Sequence, residues 1–432
     1  RALAVTAVII NHFSKVPLPS GYLGVDIFFV ISGYVITSSL AERKSANFLD
    51  FLTGFYQRRI KRLMPALVAF TLITGVLICM FNPDPKGALA TGEKGLFGLS
   101  NISLYNASTD YFAESTELNP FTHTWSLGVE EQFYVLFPFL IWFSGFAKQT
   151  VKAARNLFMW TGTLTVASLI SFIYLYQTNQ PAAYFLMPPR FWEMATGCLL
   201  FIGLQKRAEI AQSLEKIPPL LVVSAMIGLM LLPASAAVPA TIGVVVFSAA
   251  LIACLKEGTA AHRFLTHRSV VYVGEISYSL YLWHWAVLCI SRWTIGIHLW
   301  SIPAQLGLIV LMAVASHRWI ETPIRQSSWP PSKWRDISMG ASTALLSAIA
   351  ISTLSKNENS LYWGEKEASE PAKAGISPAL CKAGNKLSDG MLLANCTLDP
   401  RNGTSIISIG DSQTGHLLPM LNLLNQKVGT GI

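Results

Sequence analysis

Apolar runs of about 16 to 21 residues recur eleven times along this chain. They fall near 2–18, 22–41, 63–81, 124–144, 157–177, 187–204, 218–233, 239–255, 271–290, 302–320 and 337–355. A helix rises about 1.5 Å per residue and a hydrocarbon core is about 30 Å thick, so runs of this length suit bilayer crossing. In lipid every backbone N–H and C=O must be satisfied within the protein, which leaves helices as the element for such runs. The pattern predicts an all-α polytopic membrane bundle of about eleven transmembrane helices. Composition agrees, with 52% hydrophobic and 13% charged residues in 432.

The formal charge of +8 does not call for a nucleic-acid partner, because the basic residues are distributed as a membrane requires. Eighteen lysines and arginines lie in or beside the loops 42–62, 145–156, 205–217, 256–270 and 321–336. Only Lys15, Lys86, Lys94, Arg190 and Arg292 fall in the opposite set. Positive-inside bias then predicts a cytoplasmic N-terminus and an external location from residue 357 onward. Cys79, Cys198, Cys254 and Cys289 lie in apolar runs and read as small buried residues. Cys381 and Cys396 lie in a polar tail, where an oxidising compartment would allow a disulfide between them.

Ionisable groups within the apolar runs are the candidates for function, since each costs at least about 2.5 kcal/mol at membrane depth. On one helix Arg1 and His12 lie roughly 16 Å apart, placing Arg1 at one surface and His12 near or beyond the midplane. Asp26 enters from the opposite surface and is expected to meet His12 at similar depth. His284 sits well past the middle of its run, at the depth of His12. The aromatic residues around it, from Tyr278 to Trp285, read partly as an interfacial belt. Glu130 and Glu131 point about 100° apart on a helix, so one of them is expected to face a central cavity. His317 and Glu321 close the tenth run and read as interfacial.

Residues 47–62 combine aromatic and basic side chains in an amphipathic pattern running into the third span. Such helices bind anionic lipid headgroups at the cytoplasmic surface. Arg59 and Arg62 are also suited to phosphate, which guanidinium grips bidentately. Segment 82–122 is long for a loop between spans, and loops of that size usually carry function or are disordered. Residues 357–403 read as an extracytoplasmic linker. A β-branched stretch, Thr404-Ser-Ile-Ile-Ser-Ile, then leads into Gly410-Asp411-Ser412 and His416.

Several of these stretches resemble the acyltransferase-3 family of membrane acyltransferases. Arg1 and His12 match its Arg-x10-His signature. Gly24-Val-Asp-Ile-Phe-Phe-Val-Ile-Ser-Gly33, Arg59-Ile-Lys-Arg62, His123-Thr-Trp-Ser-Leu-Gly-Val-Glu-Glu-Gln-Phe-Tyr134 and Ile276-Ser-Tyr-Ser-Leu-Tyr-Leu-Trp-His-Trp285 follow in family order. The resemblance covers residues 1–320, and five landmarks in order are far more specific than any one. Gly410-Asp411-Ser412 resembles the first block of SGNH-type hydrolases, in which the serine is the nucleophile. The family's later blocks are absent by Ile432, and His416 does not match its catalytic base. The chain therefore reads as a fragment truncated at both ends. It comprises a membrane domain (1–320), an eleventh span (337–355), the linker (357–403) and the start of an α/β SGNH-like domain (404–432).

The resemblance implies an inner-membrane O-acyltransferase, in particular an O-acetyltransferase. Its donor is expected to be cytoplasmic acetyl-CoA held by Arg1, Arg59 and Arg62, with no metal. Its acceptor is expected to be an envelope glycan such as lipopolysaccharide O-antigen or peptidoglycan. His12 would act as base or acyl carrier, with Asp26, Glu130, Glu131 and His284 in the site and Ser412 completing an external relay. The alternative is a transporter of a polar solute or proton using His12, Asp26, Glu130 and His284. The basic cytoplasmic patch, the lack of evident internal repeats and the Gly-Asp-Ser motif favour the enzyme.

Overall fold

The computed structural model describes residues 1–363, apart from residue 44 and the segments 110–117, 147–149, 207–215, 328–332 and 358–360. Beyond 363 it describes the backbone of 381–386 and 392–396. Residues 1–361 form one compact unit and 362–432 a second.

Each expected apolar run is occupied by helix. In chain order these are α1 (Ala2–Phe13), α2 (Gly24–Ala41), α3 (Phe48–Phe81), α4 (Lys86–Gly95), α5 (Ser100–Thr109), α6 (Trp125–Ser144) and α7 (Val151–Thr178). There follow α8 (Gln180–Phe185), α9 (Met187–Lys206), α10 (Pro219–Met230), α11 (Ala237–Cys254), α12 (Ala260–Leu265) and α13 (Arg268–Glu275). The series ends with α14 (Ser277–Trp293), α15 (Ile302–Ser316), α16 (Thr322–Gln326) and α17 (Lys333–Lys356). Among the described residues, five helical stretches are long and apolar enough to cross a membrane by length and composition. They are Gly21–Ala41, Phe48–Phe81, Val151–Thr178, Ala234–Cys254 and Lys333–Lys356. The others are shorter or carry charge: α1 and α10 have 12 residues each. The run at 271–290 is broken at Ile276, between α13 and α14.

Close helix crossings are built on glycine. At the α2–α9 crossing, a Cβ on Gly33 would lie 1.8 Å from the Met194 carbonyl oxygen, and one on Gly197 2.0 Å from that of Val30. Where α1 meets α2, a Cβ on Gly24 would lie 2.3 Å from the Ala4 carbonyl oxygen. Small residues let apolar helices approach to backbone contact, which supplies the packing that holds helices together in lipid.

Helix α3 has 34 residues, about 51 Å, and exceeds a hydrocarbon core. Its first half is the expected amphipathic stretch, started by the Asn47 side chain, which accepts from the Asp50 amide. Helix α17 runs parallel to it. Asp50 pairs with Lys333, and Asp336 pairs with both Gln57 and Lys61. Farther along, Ile60 lies against Gly340 and Ile351 against Gly75.

The 82–122 segment, read from the sequence as a long loop, carries α4 and α5 among its described residues, and several of these pack closely. Phe121 is wedged against Gly92, Asn119 donates to Thr91, and Trp285 Nε1 donates to the Asn119 carbonyl at 2.9 Å. In the second unit, the strands Cys381–Lys386 and Leu392–Cys396 pair antiparallel with Cys381 opposite Cys396. Gly410, Asp411, Ser412 and His416 lie outside the described residues, as do the other residues assigned to an SGNH-like domain.

Candidate functional site

Two cavities lie at opposite ends of α1. The first, of about 300 Å³, is lined by Arg1, Ser32, Arg59, Arg62, Glu130, Tyr134, Tyr278, Glu321 and Arg325, among others. The second, of about 750 Å³, is lined by Asn11, His12, Lys15, Tyr22, His123, Tyr184, Arg190, Trp285 and Arg292, among others. Helices α2 and α14 repeat this division. Ser32 faces the Arg1-end cavity and Tyr22, just before α2, the His12-end cavity. Tyr278 and Trp285 divide in the same way. Val25 and Tyr281 line both cavities, so at that point the wall is one side chain thick. The Tyr281 hydroxyl donates to the His123 carbonyl at 2.8 Å and lies 2.8 Å from the Ser126 hydroxyl.

The Arg1-end cavity gathers the three arginines singled out in the sequence and adds Arg325. Glu130 faces it, accepting from Ser32 Oγ at 2.7 Å and Tyr134 Oη at 3.0 Å. Arg59 lies over the Tyr134 ring, 4.7 Å from its centroid. Glu131 points elsewhere, with its Cβ against the backbone at Gly98, and is not among the residues lining this cavity. Glu321, expected to be interfacial, is 2% exposed and lines the same cavity. A short π-helical segment, His317–Glu321, delivers it, and it pairs with His317 at 3.2 Å and Arg325 at 3.6 Å.

In the other cavity, His12 Nδ1 lies 2.9 Å from His284 Nε2. His284 Nδ1 lies 2.7 Å from the Tyr281 carbonyl and 3.2 Å from that of Leu280. Carbonyls only accept, so His284 carries its proton on Nδ1, and in the neutral ring its Nε2 accepts from His12 Nδ1–H. The lone pair of His12 is thereby left on Nε2. Arg292 donates to the His12 carbonyl at 3.1 Å, and Trp285 packs on the His12 ring with centroids 4.5 Å apart.

Asp26 does not meet His12. It accepts from Arg190 Nη1 at 2.9 Å, and the same nitrogen reaches Glu193 at 2.7 Å. All three are at most 5% exposed, and Trp125, Phe172 and Tyr184 surround the guanidinium at 5.2–5.6 Å. A buried carboxylate takes the nearest full positive charge, and Arg190 supplies one where His12 has already spent its Nδ1–H on His284. Arg190, taken as a helix-edge residue in the charge count, is thus an interior residue of α9. Tyr281, Trp283 and Trp285 are likewise at most 8% exposed and form no interfacial belt.

Sequence reasoning gave no site role to Ser32, His123, Tyr134, Tyr281 and Arg325, and read Glu321 as interfacial. Ser32, His123, Tyr134 and Tyr281 lay inside motifs already singled out, but nothing in their spacing marked them from their neighbours.

The sequence profile of the acyltransferase domain, acyltransferase family 3, matches residues 1–321. The chain belongs to the acyltransferase-3 family. The His12-end cavity, the histidine pair and all the named lining residues of the Arg1-end cavity except Arg325 fall within the matched residues, and α17 lies beyond them. Among curated proteins, the chain is 32% identical to the O-acetyltransferase OatA of Staphylococcus aureus (strain NCTC 8325) over 363 residues. That alignment covers 76% of this chain and 57% of the relative. A putative O-acetyltransferase of S. aureus strain COL is 28% identical over 352 residues, covering 78% of this chain and 58% of that protein. The chain thus spans somewhat more than half the length of these relatives. No solved structure matches. Family membership and the apolar helices make this acyltransferase-3 chain an integral membrane protein.

Proposed function

We propose that this acyltransferase-3 protein is a membrane O-acetyltransferase that takes acetyl from cytoplasmic acetyl-CoA and passes it across the membrane to an envelope glycan. The observation that carries this reading is the pair of cavities at the two ends of α1, arginine-rich at one end and histidine-bearing at the other. The names of the relatives, one an O-acetyltransferase and the other a putative O-acetyltransferase, support the acetyl group. Lipopolysaccharide O-antigen and peptidoglycan are the acceptor classes this reading admits.

The Arg1 end faces the cytoplasm, where positive-inside bias puts the basic loops. Arg1, Arg59 and Arg62 hold the donor phosphates through charge-assisted hydrogen bonds, and Arg325 adds a fourth cation. The thioester passes the wall at Tyr281 to reach His12. There Nε2 removes the proton of the attacking hydroxyl while His284 holds the ring in that tautomer. Eleven crossings put residue 357 outside, and the parallel course of α3 and α17 supports this, since both helices then run outward. Beyond the membrane, Ser412 receives the acetyl group as a covalent carrier on an SGNH-like domain. The same reading places Cys381 and Cys396 in an oxidising compartment, where a disulfide between them is expected.

The test is release of free coenzyme A by membranes carrying the full-length protein. Wild type should consume acetyl-CoA, and His12→Ala should lower the rate by about 10²–10⁴-fold, the usual contribution of a general base. Equal rates would overturn the reading, and solute or proton flux without coenzyme A release would favour a transporter.

A further inference from the structure

His123 is 3% exposed, and neither of its ring nitrogens makes a hydrogen bond of ordinary geometry, the Leu282 main chain lying close to the ring without completing one. Its ring is boxed edge-on by Phe70 at 5.5 Å, Tyr281 at 5.3 Å and His284 at 5.5 Å between centroids, and it lines the His12-end cavity. Its neighbours are satisfied. Asn11 donates to Leu18 and Pro19, His284 is bonded at both nitrogens, and Arg190 is paired with two carboxylates. A buried polar group without a well-formed hydrogen bond is destabilising and uncommon in native proteins, so an imidazole kept in that condition beside a reactive pair calls for a ligand. The apolar box would accept phenylalanine with no such penalty.

We propose that His123 is a catalytic residue that donates a ring N–H to the acyl carbonyl oxygen during transfer at His12. This rests on the acetyl-transfer reading above. His12 Nε2 takes the proton from the acceptor hydroxyl as its oxygen bonds to the carbonyl carbon. The carbonyl π pair moves onto oxygen, where the His123 N–H receives the charge. The intermediate then collapses, the C–S bond breaks, and the departing thiolate takes the proton back from His12. Donors aimed at a developing oxyanion in a water-poor site are among the larger contributions to acyl transfer. The position suits that role, because His123 adjoins Tyr281, where the donor must cross, and the ring of His284, which orients His12.

The experiment compares wild type, His123→Phe and His123→Asn in the full-length membrane protein. Acetyl-CoA turnover is read as kcat and donor KM, beside thermal unfolding in detergent. His123→Phe should unfold at or above the wild-type temperature because it removes an unsatisfied group. Its kcat should nevertheless fall about 10²–10³-fold, the cost of deleting one oxyanion donor, with donor KM changed only a few-fold. His123→Asn keeps an N–H donor and should recover at least tenfold of that loss. Unchanged kcat in His123→Phe would overturn the proposal. So would an asparagine variant no better than phenylalanine, or an activity loss that follows loss of folded protein. A wild type that releases no coenzyme A would overturn the acetyl-transfer reading and this proposal together.

Discussion

His12 and His284 are joined by one hydrogen bond of 2.9 Å between residues 272 positions apart, and its direction is set from outside the pair. The Tyr281 and Leu280 carbonyls require a proton on His284 Nδ1. In the neutral pair the remaining protons follow from that one, and the basic nitrogen of His12 is turned toward the cavity. A main-chain feature of α14 thus selects the tautomer of a residue on α1.

His284→Phe should therefore cost about 10²-fold or more in turnover with His12 untouched, because the His12 tautomer is no longer selected. His284→Gln retains a side-chain oxygen able to accept from His12 Nδ1–H and should keep part of the rate. Coenzyme A release at saturating donor reads the difference. Equal loss in both variants would mean that His284 does more than orient His12.

Arg59 and Arg62 should act on donor affinity. A lost charge-assisted hydrogen bond costs about 1.5–3 kcal/mol, roughly one to two decades in affinity. Arg59→Ala or Arg62→Ala should raise donor KM by about 10–100-fold with a much smaller change in kcat. Unchanged KM with reduced membrane retention would instead assign these residues to lipid headgroups.

Asp26, Arg190 and Glu193 should behave as a structural unit. Removing Arg190 leaves two carboxylates uncompensated at most 5% exposed, and breaking a buried pair costs about 3–5 kcal/mol. Arg190→Ala should lower the unfolding temperature in detergent, with activity falling in step with folded protein. Asp26→Asn should do the same to a lesser degree. An Asp26→Asn protein that is fully stable but inactive would return Asp26 to the chemistry.

The separation of Arg1 and His12 along one helix was legible in the sequence, because helix rise is fixed. Arg1 and His12 fall at opposite ends of α1 as that geometry requires, and Arg59 and Arg62 join Arg1. The choice of partner was not legible. Asp26 and His284 both lie at a depth compatible with His12, and only packing decides that Asp26 faces Arg190. Arg190 itself falls in the first turn of the run at 187–204, after Met187-Pro188-Pro189, and the charge count took it as a helix-edge residue. Prolines are tolerated in the first turn of a helix, where their missing N–H has no intrahelical partner, and α9 begins there. Glu321 was misplaced because a π-helical segment shifts the face on which it emerges. The choice between Glu130 and Glu131 needed the neighbours, Ser32 and Tyr134 on one side and Gly98 on the other.

Vectorial transfer is the central claim, and sealed inside-out membrane vesicles carrying the full-length protein test it most directly. Acetyl-labelled acetyl-CoA is supplied only to the outer, cytoplasmic-facing side, and an acceptor glycan is enclosed in the lumen. The account predicts lumenal glycan acetylation in wild type, lost in both His12→Ala and Arg59→Ala/Arg62→Ala vesicles at limiting donor. Acetylation that requires donor in the lumen, or that persists without His12, would contradict it.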